Sequence, residues 1–255
     1  MSWSAAQYVK FEDERTRPVR DLLAHVHTTE VKTAADVGCG PGNSTELLQQ
    51  RFPDAAILGM DSSPEMIEAA RERLPAIRFE IADIAAWSNS GPFDVILSNA
   101  VLQWLPDHAS LLPQLVARLA PGGSLAVQMP DNLDEPAHHL IRETAADPRW
   151  AEKVAVPAKA RLTRQKPEWY YDTLRKTGAR VDLWRTTYYH VLAGPAAVVE
   201  WFKGAALRPF LALLDKDEQV AFLAEYQAGV EAAYQPLDDG TVLLPFPRLF
   251  MIAVR

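Results

Sequence analysis

Asp36-Val37-Gly38-Cys39-Gly40-Pro41-Gly42-Asn43-Ser44-Thr45 decides how the first half of this chain folds. It follows a short apolar run, Ala34-Ala35-Asp36-Val37, and leads into a helical pattern from Thr45 to Arg51. A glycine-rich turn between a strand and a helix lets a ligand approach the backbone and meet the positive end of the helix. The dinucleotide fingerprint G-x-G-x-x-G would need glycine at position 43, where this chain has Asn43. The glycines fall instead at 38, 40 and 42, with Asp36 two residues before the first. That spacing disfavours a nicotinamide-dependent oxidoreductase.

Outward from the loop, apolar runs alternate with helical patterns. Ala55–Met60 reads as a short buried strand, and Ser63-Pro64-Glu65-Met66 as a helix start, with Ser63 as N-cap and Pro64 at the first helical position. Further strands are expected at Ile77–Ala82, Phe93–Ser98 and Ser124–Met129. A helix from Ala109 to Leu119 stops at Pro121-Gly122-Gly123. Such alternation implies βαβ units and a parallel sheet. Residues 131–178 are largely helical in pattern, ending in Glu168–Thr177 before Gly178. Arg180–Leu192 is rich in β-formers, Ala196–Ala233 returns to helix, and Arg248–Val254 reads as a terminal strand. A strand, a long insertion and a strand at the end predict an antiparallel edge pair with a helical cap over the sheet. No repeat or linker splits the chain, so residues 1–255 are expected to form one domain. Its cofactor-binding half is 1–130, and its cap segments are 131–178 and 194–246.

The 255 residues carry 26 Lys plus Arg against 33 Asp plus Glu, a net charge of −7, with 48% hydrophobic residues. This is an ordinary globular composition that excludes disorder, collagen and coiled coil. The acidic sum argues against a nucleic-acid or anionic-membrane partner. It does not exclude anionic substrates, because residues 142–185 carry 11 Lys plus Arg against 6 Asp plus Glu. The single cysteine, Cys39, allows no intrachain disulfide. With no signal-like N-terminus and no apolar window of about 18 residues, the chain is expected to be cytoplasmic. Neither His25 with His27 nor His138 with His139 has partners at a metal-site spacing, so no metal is expected.

Later acids fall at informative distances. Asp61 ends the second strand candidate, 23 residues after Gly38, where a carboxylate can accept from ribose hydroxyls. It could instead cap the helix behind Ser62 and Ser63. Asp83 follows the third strand, Ser98-Asn99-Ala100 the fourth, and Leu119-Ala120-Pro121-Gly122-Gly123-Ser124-Leu125 leads into the fifth. These five elements, in this order, resemble the class I S-adenosylmethionine-dependent methyltransferases. The resemblance implies a Rossmann-like, mostly parallel seven-stranded sheet with an antiparallel terminal strand. It implies a glycine loop bent round the methionine part of the methyl donor, and Asp61 with Ser62 at the ribose. It further implies Asp83 with Ile84 at the adenine, and Asn99 and Ala100 under the sulfonium. The cofactor set it carries over is Asp36, Gly38, Cys39, Gly40, Gly42, Asp61, Ser62, Asp83, Ile84, Asn99 and Ala100.

Further stretches resemble one branch of that family, which esterifies trans-aconitate or a related tricarboxylic acid. They are Tyr8 with Phe11, Arg15 and Arg17-Pro18; Leu102–His108; Leu125–Asn132; Trp184–His190; and Phe246–Phe250. The resemblance implies transfer of a methyl group from S-adenosylmethionine to a carboxylate, giving a monomethyl ester. An ionised carboxylate needs no general base, so the protein's tasks are alignment, exclusion of water and binding of a small-molecule tricarboxylate. Candidates by position are Tyr8, Arg15, Gln103, Trp104, Arg185, Tyr188, Tyr189, His190 and Arg248. Trp104 could equally belong to the core. On a strand, Arg185 and Tyr189 share one face, and Tyr188 and His190 the other. His108 reads as a helix-start residue rather than a base. Two alternatives stay open: another small acceptor such as a phenol or carbon centre, and a non-catalytic S-adenosylmethionine-binding module.

Overall fold

The computed structural model describes residues 12–87, 91–160, 164–204 and 206–255, with side chains omitted at 12–15, 159 and 160. Seven strands form one sheet: β1 Thr33–Val37, β2 Ala56–Asp61, β3 Arg78–Ile81, β4 Phe93–Asn99, β5 Leu119–Pro130, β6 Arg180–Leu192 and β7 Val242–Val254. Their spatial order is β3-β2-β1-β4-β5-β7-β6. The first five are parallel, with Thr33 opposite Ala56, Ala34 opposite Val95, and Leu58 opposite Arg78. β7 runs antiparallel to β5: the Gly122 amide donates to the Arg255 carbonyl (2.8 Å) and the Arg255 amide to Gly123 (3.0 Å). The expected seven-stranded sheet with an antiparallel terminal strand is therefore present.

The Cα-contact pattern divides the described chain into two compact units, and the division falls within β6 and β7. The first comprises residues up to Met129, Gln165–Arg185 and Leu249–Arg255. Helices α1 Glu12–Ala24, α2 Asn43–Arg51, α3 Pro64–Arg73, α4 His108–Ala117 and α7 Pro167–Arg175 belong to it. Its largest core cluster joins Val37, Met60, Ile96, Leu102, Leu112, Leu125, Met129, Tyr170, Leu174 and Met251. Each fully buried Leu, Ile or Met contributes about 1.5–3 kcal/mol. Ser63 caps α3 as the sequence predicts, its hydroxyl accepting from the Met66 amide with Pro64 at the first position.

The second unit comprises Pro130–Arg164 and Thr186–Arg248. It contains helices α5 Pro136–Ala145, α6 Ala155–Ala160, α8 Pro195–Lys203, α9 Arg208–Leu211 and α10 Lys216–Ala233. Its core is rich in aromatics, with Trp150, Phe202, Phe222, Tyr226 and Phe246 buried together. α10 opens on a complete capping box between Asp215 and Glu218. It is tied to α5 by Tyr226, whose hydroxyl donates to the Ala137 carbonyl (3.3 Å).

The expected helical stretch Ala196–Ala233 is divided into α8, α9 and α10, and the boundaries around β5 and β7 also differ from the sequence reading. α4 ends at Ala117, and β5 begins at Leu119, before the Pro121-Gly122-Gly123 turn. Leu119 pairs with Phe93 and Ser124 with Val95, so the intervening residues bulge out of the ladder. β7 begins at Val242, earlier than Arg248, despite Pro245 and Pro247. A proline is tolerated in a strand where no ladder donor is required. Here the Pro247 carbonyl accepts from the amide of Asp131, one residue past the end of β5 (2.8 Å).

Candidate functional site

The predicted cofactor residues lie in the first unit, on the segments that leave the carboxyl ends of β1, β2, β3 and β4. These are the strand ends at which open α/β sheets bind ligands. Gly38, Gly40 and Gly42 have φ of 76°, 54° and 91°, a region that costs any other residue about 1–2 kcal/mol. Gly38 faces inward: a Cβ there would lie 2.3 Å from Val101 Cγ2. Gly40 faces open space, with no atom within 4 Å of such a Cβ. The loop thus turns a bare backbone surface outward. Gly42 caps α2 in the left-handed conformation with no side-chain acceptor, so the first helical amides lack a side-chain cap.

The loop is held by two carboxylates. Asp36 is fully buried, and its Oδ2 accepts from the hydroxyls of Ser44 and Thr45, both at 2.7 Å. Burial pushes its carboxyl up to about 6, against the lowering effect of those two bonds. Its Oδ1 has no partner. Asp36 therefore does not present itself at the cavity, as a direct ligand would; it reaches the site through the start of α2. Asp61 is half-buried and accepts from the Gly40 amide through Oδ2 (3.0 Å) and the Ser63 amide through Oδ1 (2.9 Å). Each carboxylate oxygen keeps a second lone pair for a ligand hydroxyl. The helix cap at this point is Ser63, not Asp61.

A small cavity beside the loop is lined by Thr16 and Val19 of α1, Gly38, Cys39, Asn43, Ser44 and Asn99. Thr16, Val19, Asn43 and Ser44 were not among the expected site residues. Ser44 lay within the quoted loop but gave no separate signal. Tyr8 and Phe11 lie outside the described residues, as does the side chain of Arg15. Burial also pushes the Cys39 thiol up, so it stays protonated and acts as a small apolar lining group. Ser62 is exposed. Asp83 is exposed and caps a 3₁₀ turn, Ile84–Ala86, by accepting from the Ala85 amide (2.9 Å), while Ile84 is buried in the core cluster.

Asn99 and Ala100 form the turn after β4. Ala100 has φ 56°, the positive-φ non-glycine position among the described residues. Its amide donates to the Gln128 carbonyl (2.9 Å) and its carbonyl accepts from Gln103 Nε2 (2.7 Å). The Gln128 side chain, fully buried on β5, donates to Asn99 Oδ1. The turn is thus over-determined, which is what holding a left-handed alanine requires. Gln128 was not expected as a site residue. A fully polar side chain within the apolar run Leu125–Met129 was the signal for it.

The structure separates the substrate candidates. Gln103 is half-buried, with its amide directed at Ala100 and its Oε1 buried without a partner. Trp104 is 47% exposed, which removes the core reading. Arg185 is exposed in the first unit. In the second unit Tyr188 and His190 are buried, whereas Tyr189 is 61% exposed, the alternation expected of the strand. His190 stacks on Trp201 at 4.6 Å and meets Phe246 edge-on at 5.4 Å. Arg248, also buried, lies over the same Phe246 ring at 5.0 Å. His190 and Arg248 therefore share one aromatic cluster, and Tyr189 stands apart from it. His108 begins α4 as expected, buried, with both ring nitrogens hydrogen-bonded. Among the described residues no group of three or more His, Cys, Asp or Glu side chains could hold a metal ion. No described helix is long and apolar enough to cross a membrane.

The family model described as a methyltransferase domain matches residues 34–123. Curated relatives resemble nearly the whole chain. A trans-aconitate 2-methyltransferase of Methylobacterium nodulans is 55% identical, covering 99% of this chain and 98% of the relative. One of Azoarcus sp. is 52% identical, covering 100% and 99%. Among solved structures, the YcgJ protein of Bacillus subtilis superposes with a TM-score of 0.61 at 12% identity, over 94% of this chain and 98% of that one. Phosphoethanolamine N-methyltransferase 2 of Haemonchus contortus, in complex with S-adenosyl-L-methionine, gives 0.56 at 17%, over 94% and 52%. At those identities the solved structures speak to the fold alone.

Proposed function

Because the chain belongs to the trans-aconitate 2-methyltransferase family, we propose that it transfers a methyl group from S-adenosylmethionine to a carboxylate of trans-aconitate. The products are a monomethyl ester and S-adenosylhomocysteine. The observation that carries this reading is the bare, left-handed glycine loop. Its Gly38 borders a cavity with the start of α2, and its Gly40 amide is bonded to the Asp61 carboxylate, an arrangement that suits a ligand with a zwitterionic amino-acid end and a ribose.

The chemistry of these residues suits that ligand. The amides at the start of α2 suit the methionine carboxylate. The remaining lone pairs of Asp61 suit the ribose hydroxyls, and the exposed Asp83 beside the buried Ile84 suits the adenine. When bound, S-adenosylmethionine supplies an electrophilic methyl group on a sulfonium. The acceptor carboxylate is ionised at neutral pH, so no proton has to leave it. His108, with both nitrogens engaged, fits an acceptor of that kind better than a phenol, which calls for a base. What remains for the protein is to hold the acceptor oxygen within about 3–3.5 Å of the methyl carbon and to exclude water. Gln103 and Trp104, on the segment that follows Asn99 and Ala100, are the first-unit side chains proposed to flank the acceptor. S-adenosylmethionine is the methyl donor, and transfer to an ionised carboxylate calls for no metal in this proposal.

Incubation with S-adenosylmethionine and trans-aconitate, followed by mass spectrometry, tests this. The expected result is S-adenosylhomocysteine together with an ester cleaved by mild alkali. No turnover with trans-aconitate or any related tricarboxylate would refute it.

A further inference from the structure

His108 is fully engaged in a chain of hydrogen bonds whose direction is fixed by chemistry. The Leu102 carbonyl can only accept, so His108 Nε2, at 2.7 Å, carries the proton. In the neutral ring Nδ1 is then the acceptor, and the Tyr170 hydroxyl at 2.7 Å is its donor. The Tyr170 oxygen in turn accepts from the amide of Gln165 (3.3 Å). Both lone pairs of the Leu102 carbonyl are occupied, because it also accepts from the Leu105 amide (2.9 Å). The chain therefore ends on the 3₁₀ turn Leu102–Trp104, which carries Gln103 and Trp104 and follows Ala100 after one intervening residue, Val101. The turn has no side-chain cap of its own, and Val101 before it is not a capping residue. Besides its backbone bonds, the turn receives a side-chain bond from a buried imidazole.

We propose that His108 is a positioning residue for methyl transfer: its Nε2–H bond to Leu102 holds the Leu102–Trp104 turn in the geometry the acceptor requires, and Tyr170 fixes the tautomer that makes that bond. This rests on the carboxyl methyltransferase reading above. His108 touches neither substrate nor donor and exchanges no proton with them.

Two substitutions separate positioning from packing. The carboxamide of glutamine reaches roughly where Nε2 lies and that of asparagine where Nδ1 lies, so His108→Gln keeps the Leu102 bond and His108→Asn keeps only the Tyr170 side. For His108→Asn, kcat with trans-aconitate should fall about 10–100-fold, the scale of an ångström-level misplacement, while S-adenosylhomocysteine affinity stays within about threefold. His108→Gln should retain kcat within about fivefold of the parent. A purely structural imidazole would rank the two equally, or favour asparagine at a helix start. Equal kcat values, or S-adenosylhomocysteine affinity falling in step with kcat, would overturn the proposal.

Hydrogen exchange read by mass spectrometry over residues 101–106 is independent of turnover. It should be about tenfold faster in His108→Asn than in His108→Gln, as expected for loss of a bond worth roughly 1.4 kcal/mol. Identical exchange in the two variants would refute the assignment even if the parent methylates some other acceptor. Tyr170→Phe removes only a hydroxyl and keeps the packing; it should lower kcat several-fold with donor affinity unchanged, and parent-like kcat would count against the relay. Wild-type inactivity toward tricarboxylates with the exchange difference intact would count against the substrate reading alone.

Discussion

Replacing Gly38 with alanine asks the glycine loop for two things it cannot give. The first is backbone: φ is 76°, which for alanine costs about 1–2 kcal/mol. The second is space: the new methyl would lie 2.3 Å from Val101 Cγ2, 2.8 Å from Cγ1 and 3.1 Å from Cβ. Overpacking of this kind costs about 1–3 kcal/mol. Together Gly38→Ala should destabilise by about 2–5 kcal/mol, a drop in Tm on the order of 5–15 °C. Val101→Ala deletes the two closest atoms and leaves only the 3.1 Å contact. The double variant should therefore recover the steric part and not the backbone part, giving a favourable coupling of about 1–3 kcal/mol between the two sites. Chemical denaturation of the four proteins measures this directly. Additive single effects would refute the argument, because they would mean that Val101 does not set the room available to Gly38.

Three other outcomes follow from the geometry. The raised carboxyl of Asp36 binds its proton more tightly folded than unfolded, so the folded state gains stability as pH falls from about 6 toward about 4; raised from the ordinary 3.8 to about 6, the shift amounts to roughly 3 kcal/mol. Asp36→Asn should flatten the stability profile across that window while keeping an acceptor for Ser44 and Thr45, and an unchanged profile by urea unfolding at several pH values would contradict the assignment. Asp61→Ala leaves the Gly40 and Ser63 amides without their acceptor and should weaken S-adenosylhomocysteine binding about 10–100-fold by calorimetry; affinity within twofold of the parent would count against it. Trp104→Ala, at 47% exposed, should change stability by less than about 0.5 kcal/mol yet raise KM for the acceptor, whereas a large fall in Tm would return Trp104 to the core.

The sequence carried the sheet better than it carried the site's supports. Arg180–Leu192 was legible to the residue because its β-branched and aromatic run meets no breaker. The start of β7 was not, because Pro245 and Pro247 read as a stop unless the neighbouring strand is known to have ended. The positive-φ turns at Gly38, Gly40 and Gly42 and the place of Asp61 at the end of β2 were legible because they follow from the spacing of strand and helix. The Asp36–Ser44–Thr45 bonds could be inferred from the loop only as proximity, not as direction. Gln128 and the His108–Tyr170 relay depend on side chains far apart in sequence, such as 108 and 170, and no local pattern announces them. Tyr189 and His190 looked equivalent in composition; strand alternation separated them, and the burial of one and exposure of the other followed.

The first unit is assembled from three separate stretches, and the third, Leu249–Arg255, supplies β7 residues to a sheet in which β7 lies between β5 and β6. β7 therefore pairs with a strand, β5, that ends more than a hundred residues before β7 begins. While the ribosome is still adding the second unit, β5 lacks its eventual neighbour and exposes unpaired backbone and apolar side chains to solvent or to another nascent chain. Closing that gap requires contacts spanning more than a hundred residues, which is slow. Expression yield should accordingly respond more sharply to translation rate and chaperone supply than to the stability of the finished enzyme.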